Sequence, residues 1–151
     1  MRFAEEGDGP ALAALINRAF QVERFFLDKD RLTLAEVEAR LRSGRFLVAE
    51  EAGRLVGCLY LEERGERTYF GLISVTPQRQ GAGLGKRLIA EAEEHCRARG
   101  CRFVDLNIVS LRTELPPFYR KLGYAETGTA PFPENEPVKM PCHFIQMSKT
   151  L

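Results

Sequence analysis

The stretch from Val75 to Leu88 reads VTPQRQGAGLGKRL. Three glycines, Gly81, Gly83 and Gly85, alternate with Ala82 and Leu84 just ahead of an apolar helical pattern. Glycine weakens helices and strands, so such a cluster calls for a backbone reason. A glycine-rich turn that opens a helix leaves N–H groups unpaired. It lets a ligand approach the main chain, and it sits at the positive end of the helix dipole. Phosphate or pyrophosphate is the guest this favours, with Lys86 and Arg87 as charge at the rim. The alternative is a turn needed only for tight strand-to-helix packing. The two commonest phosphate loops do not fit. A Walker A loop needs four residues before Gly-Lys and then Ser or Thr. Here three residues separate Gly81 from Gly85-Lys86, and Arg87 follows. A dinucleotide fingerprint needs a glycine where Lys86 stands.

Beyond the glycines, Leu84, Leu88, Ala92 and Cys96 form a helical stripe widened by Ile89, ending near Gly100. Before them, strand-like runs at 46–50, 55–61 and 68–75 are joined by the short turns EAGR and ERGER. Such spacing predicts an antiparallel meander. Residues 2–5 read as an opening strand. Asp8 is a candidate cap for a first helix, with Pro10 in its first turn and Leu12, Leu15, Ile16, Ala19 and Phe20 on its apolar face. Thr33 and Glu36 have capping-box spacing at the start of a second helix that Gly44 stops.

Residues 103–109 form a further strand. Since it follows a strand and a helix, it is expected to run parallel to its predecessor. A short helix at 116–122 stops at Gly123, and a strand follows from Tyr124. Residues 129–141 carry four prolines and read as an irregular loop, and 143–149 close the sheet. The expectation is one α+β domain over residues 1–151. Its mixed, largely antiparallel sheet has about seven strands, with about four helices in a three-layer arrangement.

A strand ending Val-x-Pro and followed by Gln-Gly-x-Gly-x-Gly-Lys resembles motif A of the GNAT superfamily of N-acetyltransferases. Gln80, Gly83 and Gly85 fill that motif's Arg/Gln, two residues, Gly, one residue, Gly/Ala pattern. Farther on, Pro117 to Tyr124 reads PFYRKLGY and resembles the family's "FYxxLGF" segment. The order of elements is also similar, so the resemblance covers essentially the whole chain.

The resemblance implies acetyl-CoA as co-substrate, with pyrophosphate on the amides of Gln80, Gly81, Ala82, Gly83, Leu84, Gly85 and Lys86. It implies a pantetheine arm along the backbone of Ile73 and Val75. The third meander strand and the strand at 103–109 are expected to splay, with a bulge accommodated at Gly71 or Ser74. Tyr119 matches the tyrosine that donates to the departing sulfur. Direct transfer to an amine needs neither a covalent enzyme intermediate nor a metal. A non-catalytic acyl-CoA-binding module is the alternative.

A base is less legible. In FVDLNIV, Val104, Leu106 and Ile108 share one face while Asp105 and Asn107 share the other. That second face is a polar cleft wall or a solvated one. Asn107 stands where some relatives carry a basic carboxylate; an amide cannot accept the proton but can orient water or acceptor. Asp105, Glu62 and Glu63 are candidates for acting through water. Arg112 replaces an asparagine that some relatives place near CoA, and is a candidate for a CoA phosphate or an acidic acceptor. The acceptor is expected against 21–30 and 129–141, where Phe25, Phe26 and Phe132 either wall a pocket or anchor loops, and Glu23 or Glu134 attracts an ammonium.

Composition narrows the partners. The 151 residues carry 22 Lys+Arg against 21 Asp+Glu, a net charge of +1. That gives no support for nucleic-acid binding. No run of apolar residues is long enough for a membrane span. The opening MRFAEEGDG lacks the apolar core of a signal peptide. Cys58, Cys96, Cys101 and Cys142 form no CxxC pair, and with His95 and His143 match no zinc spacing. They read as thiols of a reducing cytoplasm. The expected partner is a small-molecule or peptide amine, and the expected protein a monomer or homodimer.

Overall fold

In a computed structural model, which describes residues 1–151, the chain forms a seven-stranded sheet with helices on both faces. Strand β1 is Arg2–Phe3, and helices α1 (Gly9–Ala19) and α2 (Leu34–Ser43) follow. The meander is β2 (Arg45–Glu51), β3 (Arg54–Arg64) and β4 (Arg67–Val75). Then come α3 (Leu84–Ala98), β5 (Phe103–Val109), α4 (Leu115–Lys121), β6 (Ala125–Pro131) and β7 (His143–Thr150). The sheet order is β1-β2-β3-β4-β5-β7-β6, and only β4 and β5 pair in parallel. The strand–helix–strand step through α3 produces that one parallel junction, as a crossover requires. The last three residues of β6 come from the stretch expected to be irregular.

Local signals account for most boundaries. The Thr33 hydroxyl accepts from the Glu36 amide at 3.2 Å, and the Glu36 carboxylate accepts from the Thr33 amide at 3.0 Å. Two of the helix's orphan donors are thereby satisfied. Gly44 ends α2, but in extended backbone; a Cβ there would lie 2.5 Å from the Leu61 carbonyl and 2.7 Å from the Tyr60 hydroxyl. Asp8 precedes α1 but does not cap it with its side chain. Its carboxylate instead accepts from the Glu5 amide and from Arg2, both at 2.8 Å, because a 3-10 turn at Glu6–Asp8 intervenes.

Two apolar cores flank the sheet. On one face Leu84, Leu88, Ile89, Ala92 and Cys96 of α3 pack against strand residues that include Leu59, Phe70 and Leu106. On the other, Leu12, Leu15 and Ile16 of α1 and Val37 of α2 pack on Phe46, Val48 and Tyr60. Strand β4 changes sides partway along. Phe70 belongs to the first core and Leu72 to the second, although a regular strand puts i and i+2 on one face. The cause is a bulge. Tyr60 pairs with Gly71 and Cys58 with Ser74, so Leu72 and Ile73 together oppose Leu59. Leu72 takes φ +52°, and its carbonyl accepts from the Ser74 hydroxyl at 2.9 Å. The bulge thus falls between Gly71 and Ser74, and the left-handed residue is a buried leucine rather than a glycine.

Candidate active site

Strands β4 and β5 pair only from Arg67 to Tyr69 and from Phe103 to Asp105. Past that point they diverge as expected, and a cleft of about 220 Å³ opens between Phe70–Ile73 and Leu106–Val109. From the α4 side it is lined by Leu115, Phe118 and Tyr119; from the α1–α2 connection by Phe20, Glu23 and Arg31. It therefore reaches both faces of the sheet.

The glycine loop lies where β4 runs into α3. Gly81 and Gly83 have φ of +83° and +82°, which side chains rarely adopt. A Cβ at either would meet no protein atom within 4 Å. Gly83 is the N-cap of α3 and provides no side-chain cap. None of the amides from Gly81 to Lys86 donates to a backbone acceptor; the first helical bond runs from Arg87 to the Gly83 carbonyl at 3.1 Å. Six consecutive N–H groups at a helix start form an anion cradle. Gln80 is different. Its amide donates to Pro77 at 3.4 Å and its side chain to the Val75 carbonyl at 3.0 Å, so it braces the loop.

Tyr119 is buried on α4 and lines the cleft. Its ring packs edge-on against Phe118 and Tyr124, at 5.1 and 5.7 Å between centroids. Tyr124 anchors the end of α4. Its amide donates to the Tyr119 carbonyl at 3.0 Å and its hydroxyl to Glu93 of α3 at 2.8 Å, while Lys149 of β7 reaches the same carboxylate at 3.0 Å. The Tyr119 hydroxyl has no hydrogen-bond partner within the protein and is not sealed inside it. Burial pushes its pKa up, and Arg112 only partly opposes this, so the phenol stays protonated at neutral pH.

Asn107 is exposed and lines the cleft. Asp105, two residues before it, does not. It sits at the closed end, opposite Tyr69, and accepts from Arg67 at 2.6 and 2.7 Å and from Ser148 at 2.5 Å. Arg67 holds its carboxyl below the usual range. The reading of Asp105 as a base gives way to a structural one, because a lowered, triply bonded carboxylate outside the cleft has little tendency to take a proton. The other acids raised as bases are engaged elsewhere. Glu62 accepts from Tyr60 at 2.8 Å, and Glu63 pairs with Arg99 on the surface.

Arg112 lines the cleft but points its charge into the fold. It pairs with Glu23 at 2.9 Å and Glu114 at 3.1 Å. Glu23 is buried, which pushes its pKa up against the opposing pull of Arg112. Neither Phe25 nor Phe26 lines the cleft. Phe26 is fully buried and Phe25 half exposed, their rings edge-on at 5.0 Å, so they anchor the connection. Phe20 and Phe144 line the cleft together with Tyr69, Phe70, Phe118 and Tyr119, and Phe132 backs Phe144 at 5.1 Å. Nothing in the spacing singled these two out, since Phe20 belongs to a helical apolar stripe and Phe144 to a strand.

No group of three or more His, Cys, Asp and Glu side chains comes together to hold a metal. Cys58 and Cys96 lie in separate cores. No helix is long and apolar enough to cross a membrane.

Residues 10–124 match the family model described as the acetyltransferase (GNAT) family, and the chain belongs to that family. A mycothiol acetyltransferase from Cellulomonas flavigena is 30% identical over 135 residues, covering 77% of this chain and 38% of that protein. Across the first curated relatives it matches, the chain spans 38–56% of their length. Among solved structures, the ribosomal-protein-S18-alanine N-acetyltransferase from Escherichia coli superposes with a TM-score of 0.82 at 16% identity, covering 98% of this chain and 92% of that one. A GNAT family acetyltransferase from Elizabethkingia anophelis with acetyl-CoA bound superposes with a TM-score of 0.67 at 20% identity, covering 79% of this chain and 84% of that one. These likenesses place the fold.

Proposed function

We propose that the protein transfers an acetyl group from acetyl-CoA to an amine, by direct attack with both substrates bound. The observation that carries this reading is the juxtaposition of the free amides from Gly81 to Lys86 with the split between β4 and β5. Anionic phosphate suits the amides, and the missing Cβ atoms leave room for it. The unpaired edge of β4 around Ile73 and Val75 suits an amide-bearing arm, which would lie in the opening as a strand does. Acetyl-CoA supplies an activated acyl group on a chain of that chemistry.

Within the cleft the acceptor nitrogen attacks as a neutral amine. A C–N bond forms, the C–S bond breaks, and the nitrogen gives up one proton. Tyr119 donates a proton to the sulfur and is re-protonated from solvent. The positive charge of Arg112 near Tyr119 eases the passing phenolate. The proton from nitrogen leaves through water, because Glu23, the acid lining the cleft, is paired with Arg112. Asn107 orients that water or the acceptor as a hydrogen-bonding amide. Holding two reactants in one cleft supplies much of the acceleration.

The test is release of free thiol from acetyl-CoA against a panel of amino acids, polyamines, aminoglycosides and peptides, with thermal stabilisation by CoA alongside. CoA-specific stabilisation and amine-dependent thiol release are expected. Stabilisation by nucleotides but not CoA would refute the reading, and CoA binding with no transfer under any condition would recast the protein as an acyl-CoA-binding module.

A further inference from the structure

Three charged side chains line the acceptor end of the cleft: Glu23, Arg31 and Arg112. Two of them neutralise each other, since Glu23 and Arg112 pair at 2.9 Å with both side chains largely out of solvent. Arg112 also meets Glu114. Arg31 is left over. It takes part in no salt bridge, and its guanidinium lies 5.5 Å from the centroid of the Phe20 ring, itself part of the wall. Two nearby acids are taken by other cations: Asp30 by Arg24 at 2.5 Å, and Glu136 by Lys29 at 2.7 Å. A half-buried guanidinium stacked near an aromatic ring presents a planar fork of donors that fits a carboxylate two bonds at a time.

We propose that Arg31 is the specificity-determining residue of the acceptor subsite, and that the acceptor is an amine bearing a carboxylate on an apolar or aromatic frame. An aromatic α-amino acid is the simplest member of that class. The inference rests on the acetyltransferase reading above. The carboxylate meets Arg31, the frame lies against Phe20 and Phe144, and the amine is directed toward the opening between β4 and β5 near Tyr119. The transfer itself is unchanged: nitrogen gains the acetyl carbon and loses a proton to water, and sulfur gains a proton from Tyr119. Polycationic acceptors are disfavoured, because Arg31, a wall cation in no salt bridge, repels them.

The experiment uses the full chain with acetyl-CoA and a matched set: phenylalanine, phenylalaninamide and phenethylamine. Wild type is expected to prefer phenylalanine in kcat/KM by roughly 10- to 100-fold, the range of a charge-assisted pair. Arg31→Gln collapses that ratio toward one through KM and leaves KM for acetyl-CoA unchanged. Arg31→Lys restores part of it. Calorimetry needs no turnover: in the presence of CoA, N-acetylphenylalanine binds wild type more tightly than N-acetylphenethylamine, and Arg31→Gln removes the difference. Equal use of the three acceptors, a preference retained in Arg31→Gln, or a preference for polyamines overturns the role of Arg31 while acetyl-CoA binding leaves the acetyltransferase reading standing. Failure of acetyl-CoA to bind overturns both.

Discussion

Glu23 and Arg112 stand 89 residues apart in the chain, and their side chains close to 2.9 Å in the fold. The pair ties the turn after α1 to the loop between β5 and α4, so it joins the two walls of the cleft that these segments form. Removing one partner leaves a buried charge uncompensated. Arg112→Leu is expected to cost about 3 kcal/mol of stability, whereas Glu23→Leu/Arg112→Leu together cost clearly less than the sum of the single changes. Urea denaturation of the four proteins measures the coupling, and strict additivity would contradict the pairing.

Tyr119→Phe removes the proposed proton donor and keeps the ring contacts with Phe118 and Tyr124. The expected result is a fall in kcat of about 10²-fold or more, with KM for acetyl-CoA nearly unchanged. Burial raises the phenol above its ordinary 10.0, so its ionisation produces no falling limb in the rate profile below that pH. Activity of the wild type instead rises with pH toward the acceptor amine's own pKa, as the neutral nucleophile becomes populated. A descending limb near neutrality would assign the acid elsewhere.

Gly83→Val tests the cradle. An added Cβ meets no protein atom within 4 Å, so the expected stability loss is that of the left-handed backbone at φ +82°, about 1–2 kcal/mol. The space it fills is the proposed site of the pyrophosphate. KM for acetyl-CoA is expected to rise about tenfold or more, read from initial rates at temperatures where the variant is fully folded. A defect that vanishes under those conditions would make the loss one of folding alone.

Asp105→Asn separates structure from catalysis. The expected stability loss at pH 7 is about 1–2 kcal/mol, moderated by partial exposure of the Arg67 pair. Arg67 lowers the Asp105 pKa from 3.8, so its contribution is fully present above that value and disappears as pH falls through the lower folded value. The difference between variant and wild type shrinks in acid. Turnover per folded molecule stays within about twofold, and a loss of kcat far beyond that would return Asp105 to the chemistry.

Ala52 and Gly53 join β2 to β3 with φ of +51° and +77°. Both signs match a type I′ turn, which prefers Asn at the first position. Ala52→Asn is expected to stabilise the protein by about 0.5–1 kcal/mol, seen as a higher urea midpoint at unchanged slope.

Features carried by local chemistry were legible in the sequence. The Thr33–Glu36 box, the α3 stripe and the glycine loop each need only neighbours along the chain, and all appear where the spacing put them. The parallel step from β4 to β5 followed from the crossover through α3. Features that depend on distant neighbours were not legible. Asp105 and Asn107 share a strand face, yet Arg67 and Ser148 claim one while the diverging strands expose the other. Phe25 and Phe26 are adjacent, so they project in different directions, and both serve the connection rather than the cleft. The bulge falls between Gly71 and Ser74, the two positions named for it, but its left-handed residue is Leu72, which the sequence did not single out. It is held by a hydroxyl two residues on and by a helix pair that buries the leucine side chain.

The narrow junction between β4 and β5 has a consequence for how the molecule opens. Three residue pairs join these strands, whereas seven join β5 to β7. Without a ligand the sheet is zipped at only one end along that seam. On the reading proposed above, a guest lying in the opening would act as a surrogate strand and complete the ladder. Slow exchange of amide hydrogens in Phe70–Val75 is therefore expected to depend on occupancy, while β2 and β3 stay protected throughout. Binding would then register as closure of a seam in the middle of the sheet, and the molecule's mechanical continuity would be shared between chain and substrate.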